Sequence, residues 1–88
     1  MQSADKALAI LGAFDESRPD LGVSELAGEL GMHKSTVSRL LAALERRGLV
    51  RREGERFAPG PELARLGALA VRGLTLAGAA WPLGPARR

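Results

Sequence analysis

Apolar positions recur at helical spacing in three successive stretches of the chain. Leu8, Leu11 and Phe14 step by three through residues 4–14, an interval that keeps side chains on one helix face. Ser3 is placed to cap that helix, and Asp5 lies near its positive end. Ile10 sits off the stripe, and its expected place is a widened core contact rather than the surface facing a partner chain. Residues 15–22 hold Pro19, Asp20 and Gly22 and read as a loop. A short helix over 23–30 turns Leu26, Ala27 and Leu30 inward, and Gly31 ends it. A third helix covers 34–47 and stops at Gly48. With Val37 at zero, Leu40, Leu41 and Leu44 fall within about 60° of it, whereas Ser35, Arg39, Ala42 and Arg46 fall roughly 140–200° away. One face of this helix is therefore core, and the opposite face is polar or small.

The period then changes. Residues 49–52 and 56–58 read as two short strands, joined by Glu53, Gly54 and Glu55, with Gly54 suited to a turn of positive φ. Pro59 cannot donate to a ladder and is expected to end the second strand. Pro61 suits the first position of a fourth helix, whose stripe of Leu63, Leu66, Leu69 and Ala70 extends to about Gly73. Three helices, a hairpin and another helix make a mainly α fold with a small β-hairpin, the order of a winged helix-turn-helix. Residues 1–60 are expected to form that domain, 61–77 a linker helix and 78–88 a disordered tail.

Composition narrows the function. Eighty-eight residues suffice for one small domain with a modest core. The absence of cysteine excludes disulfides and thiolate chemistry, and with His33 as the single histidine it excludes a zinc finger. The sequence offers no carboxylate pair or phosphate loop, and His33 beside Ser35 lacks a third orienting group. No catalytic, metal-binding or cofactor-binding residue is expected. The net charge of +3 is unevenly spread. Residues 1–33 hold two basic side chains against six acidic ones, while residues 34–56 hold seven basic against three acidic. A basic half of this kind fits a polyanion. The charge-free run over 73–86 is too short to span a bilayer and is broken by Gly78, Pro82, Gly84 and Pro85. Asp5 and Lys6 make the N-terminus unlike a signal peptide. No membrane association is expected, and the expected location is the cytoplasm, at the nucleoid.

One spacing carries more information than the rest. Ala27 is followed four residues later by Gly31, and Val37 comes six after that. A small side chain lets two helices cross closely, a glycine permits the sharp turn between them, and an apolar anchor seats the second helix. The outer face of that second helix is then free to enter the major groove, which admits an α-helix. The runs Val23-Ser24-Glu25-Leu26-Ala27 and Gly31-Met32-His33-Lys34-Ser35-Thr36-Val37-Ser38-Arg39-Leu40-Leu41 resemble the N-terminal domain of the IclR (isocitrate lyase regulator) family. Lys6-Ala7-Leu8, Leu44-Glu45, Gly48-Leu49-Val50, Gly54, Phe57, Gly60 and Leu66-Gly67-Ala68-Leu69-Ala70 extend the likeness over roughly residues 3–75. Two positions depart from it: His33 stands where a better helix cap is usual, and Pro59 interrupts the wing strand. Family members continue into a large ligand-binding domain, so no small-molecule effector site is expected within these residues.

The resemblance implies a sequence-specific, DNA-binding transcriptional regulator. Ser35, Ser38 and Arg39 are expected at base edges, with Arg39 suited to guanine O6 and N7. Lys34 and Thr36 are expected on phosphates. Arg51, Arg52 and Arg56 of the wing are candidates for backbone or minor-groove contact, although strand alternation sends Arg51 and Arg52 to opposite faces. Arg46 and Arg47 suit the negative end of their own helix. The implied partners are operator duplex and a second copy of the chain, joined through the first and last helices. The rival readings are a protein-interaction module and a non-specific nucleic-acid binder.

Overall fold

The computed structural model describes residues 2–76. Its elements run α1 (Ser3–Gly12), β1 (Leu21–Gly22), α2 (Val23–Leu30), α3 (Lys34–Arg46), β2 (Val50–Glu53), β3 (Arg56–Pro59) and α4 (Pro61–Leu76). The fold is a winged helix-turn-helix: four helices with a small antiparallel sheet. That sheet has three strands in the order β1-β3-β2, with Leu21 opposite Phe57 and Arg52 opposite Phe57 on the other side. The third strand, β1, lies within the stretch expected to be loop. The expected tail over 78–88 lies outside the described residues.

Hydrophobic burial places the helices. Ile10, Leu21, Leu26, Val37, Leu41 and Val50 are shut off from solvent, and Ala27, Leu44 and Phe57 pack with them. Ala27 lets α3 cross close to α2. The α2–α3 turn is made by Gly31 at φ 68°, and Met32 N–H then donates back to the Ala27 carbonyl at 3.0 Å. Gly48 (φ 76°) repeats the device after α3, where Leu49 N–H reaches the Leu44 carbonyl at 2.9 Å. Both are left-handed helix endings that satisfy carbonyls otherwise left open.

Two local expectations need correction. Gln2, not Ser3, occupies the cap position of α1, Ser3 is the first helical residue, and no side chain caps the helix. Leu8 is 64% exposed, whereas Ala7, Ile10, Leu11 and Phe14 face the core. That set also follows helical spacing, and Leu8 lies one residue round from it. Pro59 does end β3, as its last residue, pairing with Val50 at the open end of the ladder. The outer stripe of α4 is not buried in the single chain: Leu66 is 45% exposed and Leu69 53%. Among the described residues, no helix is long and apolar enough to cross a membrane.

Candidate nucleic-acid interface

The third helix presents a polar face because its apolar face is fully used. Val37 and Leu41 are buried and Leu40 half-buried, which turns Lys34, Ser35, Ser38 and Arg39 to solvent and leaves Thr36 half-buried. No side chain caps the helix at His33. Its first amides keep their donors available beside Lys34 and Ser35, where a helix N-terminus favours anions. Among the described residues, no carboxylate forms an ion pair with Lys34, Arg39, Arg46 or Arg47. These cations are electrostatically open to a polyanion.

The wing stands beside that face. A cleft of about 480 Å³ lies between Ser38 of α3, Val23 and Ser24 of α2, and Arg52, Arg56 and Phe57 of the wing. A second cleft, of about 700 Å³, lies on the far side and is lined by Arg51, Ala58, Pro59, Phe14 and Pro19. The register explains the division, since Arg52 pairs with Phe57 and Arg51 with Ala58. Alternation therefore gives Arg52 to the α3 side and Arg51 to the α1 side.

All three wing arginines already have partners in the chain. Arg51 pairs with Glu53, its neighbour on the same strand face. Arg52 lies 4.6 Å from the centre of the Phe57 ring and 3.8 Å from Glu45 of α3. Arg56 reaches furthest. Its Nε donates to Asp20 Oδ1, and its Nη2 lies 3.1 Å from the Asp20 carbonyl and 3.0 Å from Glu25 Oε1. The Asp20 hydrogen bond, with the charge of Glu25 adding to it, holds the Arg56 proton even more tightly than usual. Glu25 Oε1 also accepts the Gly22 N–H at 2.8 Å, closing the first turn of α2.

The IclR helix-turn-helix domain matches residues 3–54, which run from the start of α1 to the tip of the wing. The chain belongs to the IclR family. It is 35% identical over 69 residues to a glycerol operon regulatory protein of Streptomyces coelicolor, covering 76% of this chain and 27% of that protein. It is 37% identical over 68 residues to an HTH-type transcriptional regulator of Mycobacterium tuberculosis, covering 75% of this chain and 26% of that protein. The fold superposes on the crystal structure of an IclR family transcriptional regulator from Brucella abortus with a TM-score of 0.75. There the identity is 29%, and the match covers 84% of this chain and 29% of that one. The chain thus spans about a quarter of the length of the curated relatives it matches. Its fold is that of the DNA-binding domain of a family of transcriptional regulators.

Within this IclR domain, the residues expected at DNA fall into three groups. Lys34, Ser35, Ser38 and Arg39 share one exposed face with Thr36 at its edge, and Arg52 and Arg56 share a cleft with Ser38. Arg51 lines the other cleft. Sequence reasoning missed Asp20, Glu25 and Glu45, which occupy the wing arginines. Asp20 and Arg56 stand 36 positions apart, and no local pattern announces a pair formed only by folding.

Proposed function

We propose that this IclR domain binds operator duplex in a sequence-specific way and regulates transcription there. In this reading α3 enters the major groove. Ser35, Ser38 and Arg39 meet base edges, while Lys34 and Thr36 hold phosphates. Arg52 leads from the wing onto the neighbouring backbone. The observation that carries the reading is the open cationic face of α3, with Lys34 and Arg39 exposed and free of carboxylates among the described residues. The protein then acts as a regulator rather than an enzyme, and works in the cytoplasm at the nucleoid.

Binding is by a homodimer in this proposal. Leu8 on α1 and Leu66, Leu69 and Val71 on α4 expose large apolar surface. Covering it with a second copy pairs two recognition helices, as two half-sites about one helical turn apart require. No small-molecule effector is assigned to these residues.

Fluorescence anisotropy with duplexes from around its own gene, against scrambled duplexes at roughly 50 and 200 mM salt, tests the proposal. The expected result is a preference for one duplex that survives the higher salt. Equal binding to all duplexes, lost equally with salt, makes the domain a non-specific binder. No binding, with capture of a protein partner that is indifferent to Arg39→Ala, makes it an interaction module.

A further inference from the structure

Arg56 crosses three elements. It leaves β3, passes β1 at the position where Gly22 faces it, and ends on Glu25 in the first turn of α2. Asp20, just before β1, takes it from the other side through both its carboxylate and its backbone carbonyl. β1 itself is only two residues long, too short to fix the wing by ladder hydrogen bonds alone. The guanidinium supplies five fixed donors, a geometry suited to joining separate acceptors.

We propose that Arg56 is a positioning residue: it braces the wing against the amino end of α2 and takes no phosphate itself. The inference rests on the DNA-binding reading above only for its consequence, not for the brace. One cation against two carboxylates leaves the cluster with net negative charge. For Arg56 to hold a phosphate, it must either abandon both carboxylates or carry them to the polyanion. Neither releases a counterion as an unpaired lysine or arginine does. Arg52, by contrast, lies 3.8 Å from a single carboxylate, Glu45. The wing thus divides its arginines by role, and the brace sets the angle between Arg52 and the reading face of α3.

Two variants of the full chain test this: Arg56→Gln and Asp20→Asn. Hydrogen exchange without DNA gives the first readout. With Arg56→Gln, exchange at β1 and β3 amides is expected to rise roughly three- to tenfold while α3 amides hold their wild-type rates, since an exposed ion pair contributes modestly. Unchanged exchange at β1 and β3 in Arg56→Gln overturns the brace, whether or not DNA binds. Duplex binding gives the second readout. Arg56→Gln weakens binding to the preferred duplex but keeps the wild-type slope of log K against log salt. A slope shallower by about 0.9, the signature of one lost phosphate contact, overturns the proposal. So does tighter binding by Asp20→Asn beyond its gain on a scrambled duplex. If the wild-type chain prefers no duplex, the operator-binding reading fails, and the exchange result alone decides the brace.

Discussion

Arg39 lies in the second turn of α3, exposed, with no carboxylate partner among the described residues. An arginine in that state has not spent its donors, and its planar fork matches the two acceptors of guanine. Arg39→Ala is expected to cost about 1–3 kcal/mol on the preferred duplex and to relax selectivity at one base pair. Anisotropy against a set of single-base variants measures both. Gly60 is the opposite kind of residue, buried and constrained. A Cβ there meets the Gly48 carbonyl oxygen and lies 2.9 Å from the Val50 carbonyl carbon. Gly60 N–H meanwhile donates to the Leu49 carbonyl at 2.8 Å. Gly60→Ala must push apart the junction of β2 and α4, and is expected to lose roughly 1–3 kcal/mol by analogy with overpacked cores. Thermal melting followed by circular dichroism reads this; an unshifted midpoint contradicts it. Arg39 was legible in the sequence because its face follows from the angle to Val37. The closeness of Gly60 to Gly48 was not, because it arises from backbone atoms brought together by the hairpin.

At the scale of elements, the connection from α1 to β1 is ordered by side chains rather than by repeating backbone bonds. Asp15 Oδ1 accepts from Ser17 N–H at 3.0 Å and Arg18 N–H at 2.9 Å, making a tight turn. Arg18 then pairs with both oxygens of Glu29 on α2, at 2.5 and 2.7 Å. The hydrogen bond from Arg18 lowers the Glu29 pKa below the ordinary 4.5 of a glutamate, and the Ser17 hydrogen bond lowers that of Asp15 below the ordinary 3.8. A carboxylate depressed in the folded state binds fewer protons folded than unfolded near its ordinary pKa. Its contribution is complete above that value and is lost as pH falls through the depressed one. The melting midpoint is therefore expected to hold from pH 7 to about 5 and to fall below about 4. Glu29→Gln flattens that acid limb. An equal decline in the variant shows that the Arg18–Glu29 pair does not contribute. The helices α2 and α3 were legible here because long stripes repeat at one period. β1 was not, since two residues carry no period and its strand character comes from pairing with Phe57 and Arg56 far along the chain.

At the scale of the molecule, the apolar surface is placed unequally. The core closes around α1, α2, α3 and the sheet, while α4 meets the rest of the chain mainly at β2. Leu66, Leu69 and Val71 are left about half exposed, and Leu8 more so. The stripe on α4 was legible as a helix, but spacing alone does not say whether a stripe meets its own chain or another. In the proposed dimer, Leu69→Glu places an unpaired carboxylate in the contact, a burial that costs several kcal/mol, so dimerisation is expected to weaken at least about tenfold. The monomer fold is expected to persist, because Leu69 lies outside the core. Sedimentation equilibrium of the two proteins decides this, and identical association constants contradict a contact through α4. In the proposed dimer, two copies joined there would act on DNA as one reader with two α3 helices.

The placement of α3 in the major groove is the claim on which the rest depends. Methylating guanine N7 blocks a major-groove acceptor and leaves the minor groove intact, so interference by that modification on the preferred duplex reads the placement directly. Wild-type protein is expected to lose binding when guanines within each half-site are methylated. Arg39→Ala is expected to lose sensitivity at one guanine per half-site while remaining sensitive to salt. A preferred duplex that binds equally well with every guanine N7 methylated would contradict the account.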